Sequence, residues 1–236
     1  MSEIFGSDAF SPKEIAQRVN NVGVAKVHLP FLSLLMLGVL AGAFIGLGGL
    51  YFVLIKSDPS LGFATSQVVG GLAFSLGLIL VIVAGAELFT GNNLLAMAWA
   101  EKKISTFDLL RNWIIVCLAN FIGAAGLAVL VFLSGHTEMN NGAIAEQYIK
   151  IAMVKTTMPF WSAFFKGVLC NVLVCMAVWM AFAGRTVIDK AVAIVFPISA
   201  FVAAGFEHCI ANMYIIPLAM LEKAFNTTSL AADTVT

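Results

Sequence analysis

The chain has 236 residues, of which 61% are hydrophobic and only 11% are charged. Soluble domains carry about a quarter charged residues, so the composition excludes an ordinary globular enzyme or soluble binding module. The 13 basic and 13 acidic residues cancel. Without a basic excess, nucleic acid is not an expected partner. The composition therefore predicts a polytopic membrane protein whose surroundings are the lipid bilayer.

The first predicted element is an N-terminal helix over residues 10–28. Ser11 suits the cap position, Pro12 suits the first helical position and Glu14 completes a capping box. Apolar residues then recur on one face, with lysine and arginine on the others. This pattern is typical of an interfacial helix that lies on the membrane surface. A helix that binds a partner or gates a pore is the alternative.

Five stretches are long and apolar enough to cross a bilayer, which requires about 20 residues. The first three are uncharged, the fourth contains Lys166, and the fifth is interrupted only by Glu207 and His208. They cover residues 29–55, 59–86, 112–135, 156–184 and 191–221. The excess of lysine and arginine in the loops on the N-terminal side places the N-terminus in the cytoplasm.

Two ten-residue stretches resemble each other 120 positions apart. AGAELFTGNN begins at Ala84, and AGFEHCIANM begins at Ala204. Each places a glutamate, Glu87 or Glu207, inside an apolar segment. A charge at the centre of a membrane helix costs about 2.5 kcal/mol or more, so acids there are rare and mostly functional. Finding this feature twice indicates a transporter or channel built from two halves around one pathway.

Each of these stretches is followed by an uncharged segment too short to span. We therefore expect the second and fifth spans to be broken near the middle of the membrane, where irregular backbone survives only when buried or lining a cavity. Glu87, Glu207, Asn92 and Asn212 are predicted to hold the freed backbone at the two breaks. A continuous kinked helix with two satisfied acids is the alternative.

The repeat also predicts the topology. The second span corresponds to the fifth, so the repeat unit has three spans and the second copy is inverted in the membrane. GVLAG at residues 38–42 and GVLCN at residues 167–171 agree with this alignment. We expect one transmembrane domain, with a first repeat over 29–135 and a truncated second repeat over 156–223. Residues 224–236 are too few and too polar for a sixth span, so a shortened six-span protein is expected.

Three motifs resemble the formate/nitrite transporter family of bacterial inner-membrane proteins. They are GxELFT around Glu87, GFEHxIANM around His208 and KGVLCNxLVCxAVW from Lys166, and FSLGLIL from Phe74 fits as well. The resemblance covers roughly residues 10–223. It implies an all-α, aquaporin-like fold, a homopentamer and one pore per protomer for small monovalent anions. The departure is the absent sixth span, which in the family supplies an Asn to the network of the central histidine.

The resemblance also implies the positions of the narrow points of the pore. It places Leu78, Leu88 and Phe201 at apolar constrictions, with Phe74 and Phe89 beside them. Without the resemblance, leucines and aromatic residues in membrane spans are mostly packed core or lipid-facing. The spacing alone therefore does not single these residues out.

His208 is the candidate for the central chemistry, because imidazole alone among unperturbed side chains changes charge near neutral pH. A donating or cationic ring would attract an anion, and a proton lent to a weak acid would let it cross an apolar constriction as a neutral molecule. A satisfied structural histidine is the alternative. The Thr90 hydroxyl is expected either to bond the His208 ring or substrate, or to cap the following helix.

Two further polar residues are candidates. Lys155 lies just before the fourth span and either draws anions toward the outer mouth or is a solvated boundary lysine. Asn171 lies inside the fourth span, where an amide needs a partner. It would donate to a passing anion or bond a neighbouring helix.

Other classes fit less well. An intramembrane protease needs HExxH, paired membrane aspartates or a Ser/His dyad, and none is present. A neutral-solute aquaporin-like channel would carry paired Asn-Pro-Ala loops, and a scaffold would not explain buried acids beside a histidine. The four cysteines lack metal spacing, so neither metal nor cofactor is expected. We expect an inner-membrane channel or proton-coupled transporter for formate, with nitrite and hydrosulfide as alternatives.

Overall fold

The computed structural model of the chain describes residues 9–225. Over that range the secondary structure is helical, without strands. The α-helices are α1 (Pro12–Val27), α2 (Phe31–Lys56), α3 (Phe63–Ala84), α4 (Leu95–Ala100), α5 (Thr106–Leu133), α6 (Ala143–Thr156), α7 (Phe160–Ala183), α8 (Val187–Ala203) and α9 (Cys209–Phe225). Two short 3-10 helices cover Gly91–Leu94 and His136–Glu138.

Four of the described helices are long and apolar enough to cross a membrane, namely α2, α3, α5 and α7. They correspond to the first four predicted spans. The fifth predicted stretch, residues 191–221, instead holds α8 and α9, which have 17 residues each and are separated by non-helical backbone. Residues 226–236, which include most of the segment expected to be too short for a sixth span, lie outside the described residues.

Helix α1 forms where the capping signature predicts it. The Ser11 Oγ accepts a hydrogen bond from the Glu14 amide at 3.4 Å, and the Glu14 carboxylate accepts one from the Ser11 amide at 2.8 Å. The apolar face, however, packs against α4, α5 and α7 rather than standing alone. Gly23 allows this approach, because a Cβ at that position would lie only 3.2 Å from Leu95.

Helix α6 lies largely between the two predicted repeats, in residues 136–155, where the sequence predicted no element. Its buried residues Ile144, Tyr148 and Ala152 recur every four positions, which is the spacing of one helix face. The segment escaped notice because it has only 14 residues and is not apolar enough to resemble a span. It packs against α9, and the Tyr148 and Tyr214 hydroxyls hydrogen-bond at 2.8 Å inside that contact.

Close helix packing at the centre of the fold depends on small residues. Helix α2 contacts both α3 and α5. A Cβ built at Gly42 would overlap the Asn120 carbonyl, and one built at Gly123 would overlap the Val39 carbonyl. In the membrane, helix association relies on such close backbone approach, because lipid provides little hydrophobic driving force. This packing brings α5 against the loop that follows α3.

Candidate permeation site

The backbone leaves helical geometry between α8 and α9. Helix α8 ends at Ala203, Gly205 adopts a left-handed φ of +70°, and the chain enters α9 at Cys209. His208 is the last residue before α9 and is only 4% exposed. Its Nδ1 accepts a hydrogen bond from the Ala211 amide at 3.1 Å. The imidazole therefore caps the N-terminus of α9.

A matching departure from helical geometry follows α3. Gly85 takes the left-handed φ of +73°, and residues 86–90 carry the chain to the 3-10 helix that begins at Gly91. Because a left-handed φ strains residues with a Cβ, glycine is the residue suited to this turn. The glycines at positions 85 and 205 are 120 residues apart, the same offset that relates the two decapeptides.

The two loops meet at one hydrogen bond. Thr90 Oγ1 lies 3.2 Å from His208 Nε2, and both side chains are buried. Since Nδ1 accepts from the Ala211 amide, a neutral ring carries its proton on Nε2. The ring then donates from Nε2 to the Thr90 hydroxyl. Thr90 does not cap the following 3-10 helix through its side chain.

The loop after α3 is anchored by a buried ionic network. Lys26 Nζ lies 3.0 Å from a Glu87 oxygen and donates to Asn92 Oδ1 at 2.8 Å. The Asn92 amide in turn donates to Glu87 at 2.8 Å and to Asn112 at 2.9 Å. Glu87 is 3% exposed. A buried carboxylate of this kind requires both a counterion and hydrogen bonds, and it has both.

The loop before α9 is anchored in the same way by residues of the second half of the chain. Lys155, near the end of α6, pairs with Glu207 at 2.7 Å. The Asn212 amide donates to the same carboxylate oxygen at 2.9 Å. The positions follow the repeat, because Glu207 and Asn212 lie 120 residues after Glu87 and Asn92. Lys155 is therefore paired with a carboxylate rather than surrounded by solvent.

Three anchoring residues were not predicted from the sequence. Lys26 was expected only on the polar face of α1, and Asn112 and Asn120 of α5 were not singled out. The Asn120 side chain accepts from the Phe89 amide at 2.9 Å and donates to the Glu87 carbonyl at 2.9 Å and the Gly38 carbonyl at 2.7 Å. The available signal was an amide inside an uncharged span, since such a group needs partners.

Aromatic rings surround the histidine. The Phe201 ring stacks on His208 with centroids 5.7 Å apart and an interplanar angle of 16°. Phe74 lies edge-on to both, with its centroid 6.3 Å from His208 and 5.7 Å from Phe201. Leu78 and Leu88 belong to the same buried core cluster, and Phe89 packs beside it. The apolar residues predicted at constrictions thus share one cluster, in which Phe74 and Phe201 contact the imidazole.

Two cavities adjoin this cluster. The first, called the Lys26 cavity, has a volume of about 430 Å³ and is lined by residues that include Lys26, Leu78 and Leu88. The second, called the His208 cavity, has a volume of about 600 Å³. Its lining includes Phe89, Thr90, Asn171, Glu207 and His208. Phe74 and Phe201 line neither cavity, but they belong to the apolar cluster that contributes Leu78 to the first lining and Cys170 to the second.

Asn171 has spare hydrogen-bonding capacity within the His208 cavity. Its amide donates weakly to the Cys175 sulfur at 3.6 Å, and its buried Oδ1 has no partner within residues 9–225. Three cysteines, Cys170, Cys175 and Cys209, line the same cavity. The described part of the chain contains no cluster of His, Cys, Asp and Glu that could hold a metal ion.

The fold and this arrangement define a helical membrane protein in which a buried histidine lines one of two cavities that share an apolar cluster. Residues 13–235 match the family model described as formate/nitrite transporter. The chain therefore belongs to the formate/nitrite transporter family, a family of channels and transporters rather than enzymes.

Curated relatives agree with this assignment. The chain is 40% identical to formate channel FocA of Haemophilus influenzae, over 94% of this chain and 78% of that protein. It is 36% identical to FocA of Escherichia coli K12, over 92% of this chain and 77% of that protein. A third relative, the uncharacterized transporter YrhG of Bacillus subtilis, is 43% identical over 91% of this chain and 81% of that protein.

Solved structures show the same fold. A pentameric formate channel with formate bound superposes with a TM-score of 0.78 at 34% identity, covering 87% of this chain and 81% of the other. An ion channel of the same family superposes with a TM-score of 0.80 at 30% identity, covering 88% of this chain and 83% of the other.

Proposed function

We propose that the protein conducts small monovalent anions, foremost formate, across the bacterial inner membrane. One observation carries the proposal: a buried imidazole lines one of two cavities, packs against Phe201 and Phe74, and directs its Nε2 proton at Thr90. The relatives named as formate channels make formate the first candidate. Nitrite and hydrosulfide are the alternatives, since both are small anions of weak acids.

The chemistry follows from the cost of moving an ion through an apolar constriction. Leaving water is far more expensive for a carboxylate than for the neutral acid. An anion that enters the His208 cavity would meet the imidazole and Thr90 as hydrogen-bond donors and would cross the Phe74 and Phe201 region after taking up a proton. The proton must first reach Nδ1, and that displaces the cap on the Ala211 amide. Proton lending is thereby coupled to the N-terminus of α9.

The proposed membrane arrangement is an aquaporin-like inverted repeat in which α3 and α8 end at breaks near the midplane. Its support is that matching residues in the two halves of the chain are separated by constant distances in sequence. Glu87 and Glu207 lie 120 residues apart, whereas Lys26 and Lys155, like Pro30 and Pro159, lie 129 apart. Each glutamate amide donates to an α2 or α7 carbonyl, that of Leu37 or that of Lys166.

These offsets refine the proposed domain organisation. The chain forms one transmembrane domain, and each repeat begins with an amphipathic helix, α1 in the first half and α6 in the second. The first repeat then extends beyond the expected residues 29–135 to include α1, and the second extends beyond 156–223 to include α6. The N-terminus lies in the cytoplasm, so the Lys26 cavity opens inward and the His208 cavity opens outward.

We also propose that the chain assembles as a homopentamer. The support is the similar solved channel described as pentameric, together with large apolar side chains exposed along α5 and α7. Mass photometry of the protein in detergent tests this assembly. A mass of five chains plus the micelle is expected, and a monomer that still conducts formate would contradict it.

The function is tested by formate uptake into proteoliposomes at pH 5.5 and pH 7.5, with nitrite and hydrosulfide as competitors. Replacing His208 by Ala is expected to lower the flux roughly tenfold or more, the effect of losing about 1.4 kcal/mol of interaction at the constriction. It should also remove the pH dependence. Empty liposomes and Lys103→Gln, a change on an exposed loop, are the controls. Unchanged flux and unchanged pH dependence in His208→Ala would contradict proton lending.

A further inference from the structure

The two cavities differ in the charge that remains after their ion pairs are counted. The His208 cavity is lined by Glu207, whose charge is offset by Lys155 at 2.7 Å. The Lys26 cavity is lined by Lys26, Glu87 and Lys190. Lys26 and Glu87 are paired at 3.0 Å, so they offset each other. The Lys26 cavity therefore retains one positive charge, that of Lys190.

No acidic side chain within residues 9–225 forms a salt bridge with Lys190. The neighbouring Asp189 is occupied at the start of α8, where its carboxylate accepts from the Arg185 and Thr186 amides at 3.0 and 2.9 Å. The Arg185 guanidinium is also occupied, because it lies over the Phe10 ring at 4.1 Å from the centroid. Among the cations near this mouth, Lys190 is the one that lines the cavity without an ion-pair partner in the described chain.

A single unpaired charge in a largely apolar cavity acts strongly on a permeating anion. The lining is largely hydrophobic, with Val19, Leu78, Val81 and Val178 among its members. Low-dielectric walls focus the field of a fixed charge and raise the local concentration of the opposite ion. We propose that Lys190 is a positioning residue that recruits anions into the Lys26 cavity, making the cytoplasmic mouth the more anion-selective of the two. The inference rests on the proposed function.

The test compares formate entry from the two sides of the membrane. Right-side-out and inverted vesicles are prepared from cells that produce the full chain, and initial uptake is measured over a series of formate concentrations. For Lys190→Gln, the half-saturating concentration is expected to rise about threefold or more in inverted vesicles, where formate enters through the cytoplasmic mouth. It should not rise in right-side-out vesicles. Lys190→Arg, which keeps the charge, should match the unaltered protein.

Salt separates an electrostatic role from a structural one. At about 1 M ionic strength the screening length falls to about 3 Å, so the difference between Lys190→Gln and the unaltered protein should disappear. Lys103→Gln removes an equal charge from the exposed α4–α5 loop, where Lys103 pairs with Glu101, and should leave both half-saturating concentrations unchanged.

Three results would overturn the inference: an unchanged half-saturating concentration in inverted vesicles, an equal rise from both sides, or a difference that persists at high salt. The failure of the proposed function is recognised separately. In that case the unaltered protein takes up no formate, nitrite or hydrosulfide from either side.

Discussion

The loops around Glu87 and Glu207 follow the same backbone plan but differ in what holds them. The first loop is bound by asparagines from α5, with Asn112 and Asn120 satisfying side-chain and backbone groups. The second loop has no such helix over it in the described chain. Its Asn212 Oδ1 is buried without a partner there. The first loop therefore has its backbone held by a neighbouring helix, although the Asn112 Nδ2 also lacks a partner in the described chain, whereas the second loop has no such support.

The same contrast extends to the helices that carry the loops. Gly38 and Gly42 of α2 lie against α5, and neither has room for a Cβ. The corresponding Gly167 of α7 has nothing within 4 Å in the described structure. The most apolar 18-residue window of α7 is 22% buried, against 39% for α2. The comparison shows that the repeated sequence determines the backbone conformation of each loop. Packing between helices determines how many polar groups of the loop find hydrogen-bond partners.

The largest expected effect on folding comes from replacing the matched glycines of α2 and α7, which tests this comparison directly. Gly38→Ala places a methyl group only 2.5 Å from the Ala119 Cβ and should separate α2 from α5, so most of the folded protein should be lost. Gly167→Ala, the matched change in α7, should be tolerated. The measurement is the yield and melting temperature of the detergent-solubilised protein, followed by fluorescence size exclusion. Equal losses in both variants would show that another helix covers the Gly167 face.

A smaller effect is expected at the two ion pairs. Lys26→Met leaves the Glu87 charge nearly buried and should destabilise the protein by about 2–4 kcal/mol. Lys155→Met should destabilise it less, because Glu207 is more exposed, 13% of its side chain against 5% for Glu87. Thermal unfolding in detergent measures both. Adding Glu87→Gln to Lys26→Met should recover most of the loss, and failure to do so would argue against a charge effect.

The smallest expected effect concerns the start of α1. Bonds from Ser11 lower the pKa of Glu14. A lowered pKa means that this contribution to stability is present above the ordinary pKa of a glutamate and is lost as the pH falls through the lowered value. Ser11→Ala should therefore speed trypsin cleavage within α1 about fivefold at neutral pH. The difference in cleavage rate between Ser11→Ala and the unaltered protein should shrink in acid, where pepsin is used instead of trypsin. A difference that stays constant with pH would show that the Glu14 carboxylate does not contribute.

The sequence by itself determined the class of the protein and the positions of its two unusual loops. Uncharged stretches of bilayer length indicate spans because a bilayer penalises charge, and this reasoning located α2, α3, α5 and α7. The correspondence between Glu87 and Glu207 could be recognised because an acidic residue in an apolar segment is energetically unfavourable and therefore rare. Lys155 and His208 were identified from such local signals, although their partners were not.

Only the tertiary structure decided which residues meet. Lys26 was counted as a surface lysine, and its contact with Glu87 joins positions 61 residues apart. The reach of Asn120 to the Glu87 carbonyl and the contact between Thr90 and His208 depend on helix packing. Hydropathy and spacing report the cost of placing a residue in lipid, and they are therefore local. Which side chains contact each other depends on where the helices approach closely. Those positions are determined by small residues and by the repeat, and they involve the whole chain.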